Sequence, residues 1–263
     1  MTRDTDALCV PSGPVTDALL QVSRLPGVTE ACDEARKAVD RLRGHRMLRR
    51  KSVEVSTESL LRGARASAEL EGASAHLEEV RSGKASHPLV QGALRISQEL
   101  GSLVGTWQVA PPQVLARLHV LGARDAVDSA LLGRPRESGT PAPAEVSARL
   151  SGLTSLLTAP STAPAVVVGA IVHGEIMALR PFGSADGLVA RAAERLTLIS
   201  RGLDPKALVA PEIGHAELDY DDALKAYLTG TPEGVAVWIR HCASAIVVGA
   251  RDSQAICEAM QRG

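Results

Sequence analysis

The stretch Leu179-Arg-Pro-Phe-Gly-Ser-Ala-Asp-Gly-Leu-Val-Ala-Arg191 holds the chain's single phenylalanine, Phe182, and decides how the rest is read. Before it, Ala163–Leu179 is an apolar helical run. Arg180-Pro181 ends that run, because the residue before a proline is pushed out of the α region. Gly183 follows, and Gly187–Arg201 starts a second helix that Gly202 and Asp204-Pro205 stop. A helix end, a tight glycine-containing loop and a helix start have the anatomy of an anion site, since N–H groups at the helix start point into the loop. Taken alone, the same anatomy also serves as a connector.

Outward from this segment the pattern is helical. Apolar residues recur at three and four, and Ala, Leu, Arg and Glu dominate, all good helix formers. The spacing predicts helices over Thr29–Lys51, Ser56–Glu69, Ala73–Ser82, Leu89–Leu103, Pro111–Leu121, Ala144–Leu157, Tyr220–Leu228 and Pro232–Met260. Gly133–Pro143 (GRPRESGTPAP) is the clearest loop, and the polar segment up to about Pro14 is expected to be frayed. The fold expected is all-α, with an N-terminal helical extension over residues 1–55 and a helical domain over 56–263.

Composition narrows the function classes. The 263 residues are 45% hydrophobic and 22% charged, and 29 Lys plus Arg against 30 Asp plus Glu leave a net charge of −1. That balance gives no electrostatic case for nucleic acid or an acidic membrane as partner. The aromatic residues are Trp107, Phe182, Tyr220, Tyr227 and Trp238, too few for a base-stacking platform. Cys9, Cys32, Cys242 and Cys257 form no CxxC and have no zinc-finger spacing to His; they read as reduced thiols, and no metal is expected. Asp4, Asp6 and Asp17 interrupt the start of the chain, so no signal peptide is expected. The apolar stretches Val166–Val172 and Ala245–Ala250 are far short of the ~20 residues of a membrane span. A cytoplasmic location is expected, and the high Ala and Arg content suggests a GC-rich bacterial genome. The basic run from Arg41 to Lys51 reads as a solvated helix face, with a phosphate patch as its alternative.

The Leu179–Arg191 segment resembles the signature of Fic (Fido) proteins, HxFx(D/E)GNGRxxR, which transfer AMP from ATP to a hydroxyl of a target protein. The register needs no gap. Arg180 stands at the His position, Phe182 at the Phe, Ser184 at the acidic residue and Asp186 at the Asn. Gly187 stands at the second Gly, Leu188 at the first Arg and Arg191 at the second Arg. Ser67-Ala-Glu-Leu-Glu71-Gly72 is similar to the family's inhibitory motif, (S/T)xxxE(G/N), in its N-terminal placement. Leu118-His119, Gly133-Arg134, Arg201-Gly202-Leu203, Tyr220, Leu224, Tyr227 and Trp238 follow its other landmarks, so the resemblance covers about residues 56–250.

The resemblance implies a Fic-like helical domain in which Glu71 pairs with Arg191. It also implies lost chemistry. The signature His is the general base, and the Arg180 guanidinium stays protonated. The acidic residue holds Mg²⁺, and Ser184 is a poor ligand for a hard cation. Asp186 puts a negative charge in the phosphate cradle, and Leu188 removes an Arg from it. The family's β-hairpin flap, which docks the target peptide, has only Glu137–Ala142 to occupy here.

The expectation is therefore a degenerate Fic protein, inactive as an AMP transferase, acting as a binding or regulatory scaffold for a protein partner, with no cofactor. The alternative is a Fic-type enzyme of altered chemistry, using ATP with Mg²⁺ or another phosphorylated donor and autoinhibited by Glu71. A nucleotide bound without turnover is a third option, and a homodimer is compatible with the helical surface. Arg180, Asp186, Arg191 and Glu71 are expected to close an ionic network in the vacated pocket. His173 reads as a satisfied core histidine and not a replacement base. His215, near Glu212 and Glu217, is placed in a loop and resembles no ligand set.

Overall fold

The computed structural model describes residues 17–262, which form twelve α-helices with no strand among the described residues. The short α1 (Ala18–Val22) leads to α2 (Val28–Arg43), where Val28, Cys32, Ala35, Val39 and Leu42 recur at helical spacing and are buried. The helix expected over Thr29–Lys51 is in fact two: Gly44 closes α2, and α3 (Leu48–Glu69) begins after a turn and kinks at Lys51. The basic run straddles this break, with Arg43 paired to Asp40 and Lys51 to Glu54. The boundary expected after residue 55 falls inside α3. The segment up to Pro14 and Cys9 lie outside the described residues.

The chain continues through α4 (Leu77–Arg81), α5 (Pro88–Val109) and α6 (Pro111–Ala123). It then forms α7 (Pro143–Thr158), α8 (Ala165–Leu179) and α9 (Asp186–Ser200). The last three helices are α10 (Pro211–Glu217), α11 (Tyr220–Leu228) and α12 (Pro232–Arg262). Each of α5, α6, α7, α10 and α12 opens on proline, whose fixed φ and missing N–H suit the first helical position.

Two apolar clusters meet along α8 and α9. One joins α2, α8, α11 and α12; the other joins α3, α5, α6 and α9. Every residue of α9 from Asp186 to Leu198 is buried, so this helix is the axis around which the others pack. Gly92 lets α5 and α6 meet backbone to backbone, since a Cβ there would lie 2.0 Å from the Gly122 carbonyl oxygen. Trp238 is fully buried beneath α8 and donates its indole N–H to the Ala170 carbonyl at 2.7 Å.

By length and composition α12 could cross a membrane, contrary to the short apolar stretches counted above. Most of its apolar window is buried inside the protein, against α2, α10 and α11, and it carries Arg240, Arg251 and Asp252. Its apolarity is that of a core helix.

Candidate functional site

The loop between α8 and α9 carries strain at two residues and is clamped by Arg136 and His119. Arg180 ends α8 with φ +43° and Ala185 opens α9 with φ +51°. Non-glycine residues adopt this left-handed conformation only where surrounding contacts enforce it. Arg136 supplies many of those contacts. Its backbone N–H donates to the Pro181 carbonyl at 2.9 Å. Its guanidinium donates to the carbonyls of Arg180 at 2.9 Å, Pro141 at 2.7 Å, Leu179 at 3.2 Å and Ser138, and so satisfies the Leu179 acceptor at the end of α8 and ties residues 138–141 to it. His119 braces the loop's centre: its Nδ1 accepts the Gly133 N–H at 3.0 Å, its Nε2 meets the Ser184 hydroxyl at 3.2 Å, and its ring stacks on Phe182 with centroids 4.3 Å apart. The two upstream landmarks, Leu118-His119 and Gly133-Arg134, therefore converge on the segment that decided the fold. Residues 137–141 form bends, with no strand among the described residues.

Glu71 and Arg191 meet as expected. Arg191 is 2% exposed and donates from Nη2 to Glu71 Oε1 at 2.8 Å and to the Ser67 carbonyl at 2.9 Å. Its Nε donates to the Ser67 hydroxyl at 2.8 Å. Gly72, with φ +80°, turns the chain away directly after Glu71. The Glu71 carboxylate rests on the first turn of α9, where a Cβ at Gly187 would lie 1.9 Å from Oε1. A carboxylate thus already occupies the helix start, where the dipole and free N–H groups favour an anion.

The closed ionic network of four does not form. Asp186 Oδ1 accepts the Phe182 N–H at 3.0 Å, so its side chain serves the loop's own turn, and its buried Oδ2 has no hydrogen-bond partner. Burial pushes the Asp186 carboxyl up to about 6, against the Phe182 N–H and Arg180, and Glu71 raises it further. Arg180 is exposed and acts on Asp186 only at a distance. Leu188 points into the core and is 1% exposed.

A second polar centre lies one turn further along α9, and the sequence reading passed over most of it. Glu194 Oε2 accepts from His173 Nδ1 at 2.7 Å and from His215 Nε2 at 3.0 Å. The outer nitrogens are also engaged: His173 Nε2 with the Tyr220 hydroxyl at 2.9 Å, and His215 Nδ1 with His241 Nε2 at 3.0 Å. Burial alone would push the Glu194 carboxyl up, but the two imidazoles hold it well below the usual range. Burial lowers His173 to about 4 despite its bond to Glu194. His173 is the satisfied core histidine expected. His215 is not in a loop: it lies in α10, fully buried, in a ligand-like set with Glu194. Glu194 had no distinct local signal, because the same helix also carries Asp186, Arg191 and Arg195.

No protein-family model and no curated protein matches the chain. Solved structures do. A Fic family protein from Desulfovibrio desulfuricans G20 superposes with a TM-score of 0.72 at 19% identity, covering 88% of this chain and 75% of that one. Fic-1 from C. elegans superposes with a TM-score of 0.65 at 18% identity, covering 86% of this chain and 71% of that one. A substituted form of Fic-1 gives 0.64, also at 18% identity, over 86% and 72%. The described residues have a Fic fold.

Proposed function

We propose that this protein is a degenerate Fic-fold protein that does not transfer AMP and acts as a binding or regulatory scaffold for a protein partner. One observation carries the reading: the positions that the resemblance gives to chemistry are committed to structure. Arg180 caps a helix in a strained conformation with its carbonyl clamped by Arg136. Ser184 bonds His119, Asp186 holds the Phe182 N–H, and Leu188 fills the core.

These residues do not fit magnesium ATP. The hard-cation position offers a neutral hydroxyl already bonded to an imidazole, and the anion position at Gly187 holds the Glu71 carboxylate beside a second carboxyl, Asp186. An unscreened negative charge about 4 Å from a phosphate oxygen costs ~1 kcal/mol in water and ~4 at a partly buried site. Arg180 offers no base for the attacking hydroxyl at neutral pH.

The Glu71–Arg191 contact also favours the second reading, an altered enzyme held shut by Glu71. The two readings part on one experiment. Protein incubated with labelled ATP and Mg²⁺ or Mn²⁺, alone and with a cell lysate, labels neither itself nor a lysate protein under the first reading. Under the second, Glu71→Gly gains ligand binding or labelling, and Arg191→Ala abolishes it.

A further inference from the structure

The centre around Glu194 has more donor groups than a core needs. His173 Nδ1, Glu194 Oε2, His215 Nε2 and Cys242 Sγ all lie within 4.8 Å of one another, and all four residues are buried. They come from α8, α9, α10 and α12, so four helices converge on one point. Two features there are unexplained by packing. Glu194 Oε2 takes both imidazole N–H groups, while its Oε1 is buried without a partner. That carboxylate is also a buried charge without an ion pair to a fixed cation: Arg191, which faces the same region near Tyr220, gives Nε and Nη2 to Ser67 and Glu71, leaves Nη1 without a partner and makes no bond to Glu194. Such a charge is costly unless something positive joins it.

We propose that His173, Glu194, His215 and Cys242 form a binding site for a single structural divalent transition-metal ion, with Zn²⁺ the best match. Two imidazoles, one carboxylate and one thiolate are the donors that zinc takes in four-coordinate sites. The carboxylate and thiolate together balance the ion's two charges, which a buried site requires. The outer shell is built. His173 turns its Nε2 to the Tyr220 hydroxyl and His215 turns its Nδ1 to His241, which is how metal-bound histidines are oriented. On binding, each imidazole proton moves to this outer nitrogen and donates there, freeing Nδ1 of His173 and Nε2 of His215 for the metal. The Cys242 thiol loses its proton to solvent, so one proton is released per ion. A tetrahedral zinc site spaces its donors roughly 3.3–3.7 Å apart, which asks for side-chain shifts of about 1 Å. A cavity of about 500 Å³ borders His215 and Tyr220 and is lined by Asp219, Asp221 and Asp222 together with Lys225, which pairs with Asp222, so its rim keeps a net negative charge that favours a cation's approach.

The test uses the full chain, stripped with a chelator and then titrated with Zn²⁺ and, separately, Co²⁺. The proposal expects one equivalent of Zn²⁺ and a higher melting temperature. It expects a cobalt spectrum with intense tetrahedral visible bands and a thiolate-to-metal charge-transfer band. Cys242→Ser loses the charge-transfer band, whereas Cys257→Ser keeps it. Glu194→Gln weakens Zn²⁺ at least tenfold. Because substitutions in the core can unfold the chain, the half-buried positioning residue His241 supplies an independent variant. His241→Ala lowers zinc affinity about 10–100-fold and leaves the charge-transfer band in place at saturating metal. Less than a tenth of an equivalent bound, a wild-type cobalt spectrum without a thiolate band, or binding indifferent to Cys242→Ser and Glu194→Gln in folded protein would each overturn the proposal. The last outcome would assign the ion to the acidic rim.

Discussion

The Glu71 carboxylate lies 2.8 Å from Arg191 Nη2 and rests on Gly187, tying the end of α3 to the first turns of α9 across 120 residues of sequence. The pair is asymmetric: the Arg191 side chain is 1% exposed and that of Glu71 21%. Removing one partner of a fully buried pair costs ~3–5 kcal/mol because the other charge is stranded. Glu71 is partly hydrated and Ser67 still holds Arg191, so Glu71→Ala should cost roughly 2 kcal/mol. Thermal unfolding should show a melting temperature lower by several degrees. An unchanged or higher value would mark the contact as strained and inhibitory instead of structural.

Gly187→Ala tests the same contact from the other side. The new methyl would lie 1.9 Å from Glu71 Oε1 and 2.9 Å from Arg191 Nη1, so the carboxylate must leave. A loss of ~1–3 kcal/mol is expected. In the Glu71→Gly background the clash with the carboxylate is gone and only the milder approach to Arg191 Nη1 remains, so the same substitution should cost at least ~1 kcal/mol less. Additive losses in the double-mutant cycle would show that Glu71 does not occupy the start of α9 in solution.

Asp186 makes stability depend on pH. Its carboxyl titrates at about 6 in the fold against 3.8 for the ordinary group. A raised carboxyl pKa means the folded state binds the proton more tightly, so the contribution is complete below about pH 4 and is lost as pH rises through about 6. Asp186→Asn keeps the bond to the Phe182 N–H and carries no charge. It should raise the melting temperature at pH 8, by an amount corresponding to at most about 3 kcal/mol, and leave it unchanged near pH 4. Equal effects at both pH values would refute the assignment.

Arg136 should govern the order of the loop. Arg136→Ala removes donors to four carbonyls, those of Ser138 and Pro141 and those of Leu179 and Arg180 at the end of α8. Native-state hydrogen exchange at Gly183–Ala185 should accelerate at least tenfold, with exchange in the centre of α12 unchanged. Uniform acceleration along the chain would instead report global destabilisation.

Helices with a clear apolar stripe, such as α2, were legible from spacing, and the loop between α8 and α9 from its proline and glycines. The break at Gly44–Met47 was not, because the flanking Arg and Lys residues are good helix formers and carry no stop signal except one glycine. The Glu71–Arg191 contact was read through the resemblance of two motifs, since pairing across 120 residues has no local signal. Asp186 was misread as an ionic partner because charge alone does not reveal that its carboxylate turns back onto the Phe182 N–H. The cluster around Glu194 stayed hidden for a similar reason: its members come from four helices, and no two have the short spacing that marks a metal motif.

The most direct test of the central claim is calorimetric titration of ATP, with and without Mg²⁺, into the wild type and into Glu71→Gly. The account predicts no binding at millimolar nucleotide in either protein, since clearing the carboxylate from Gly187 still leaves Ser184, Asp186 and Leu188 where phosphate and metal contacts are needed. Magnesium-dependent binding to Glu71→Gly, with or without binding to the wild type, would contradict it and leave the labelling assay to separate an altered enzyme from a nucleotide bound without turnover.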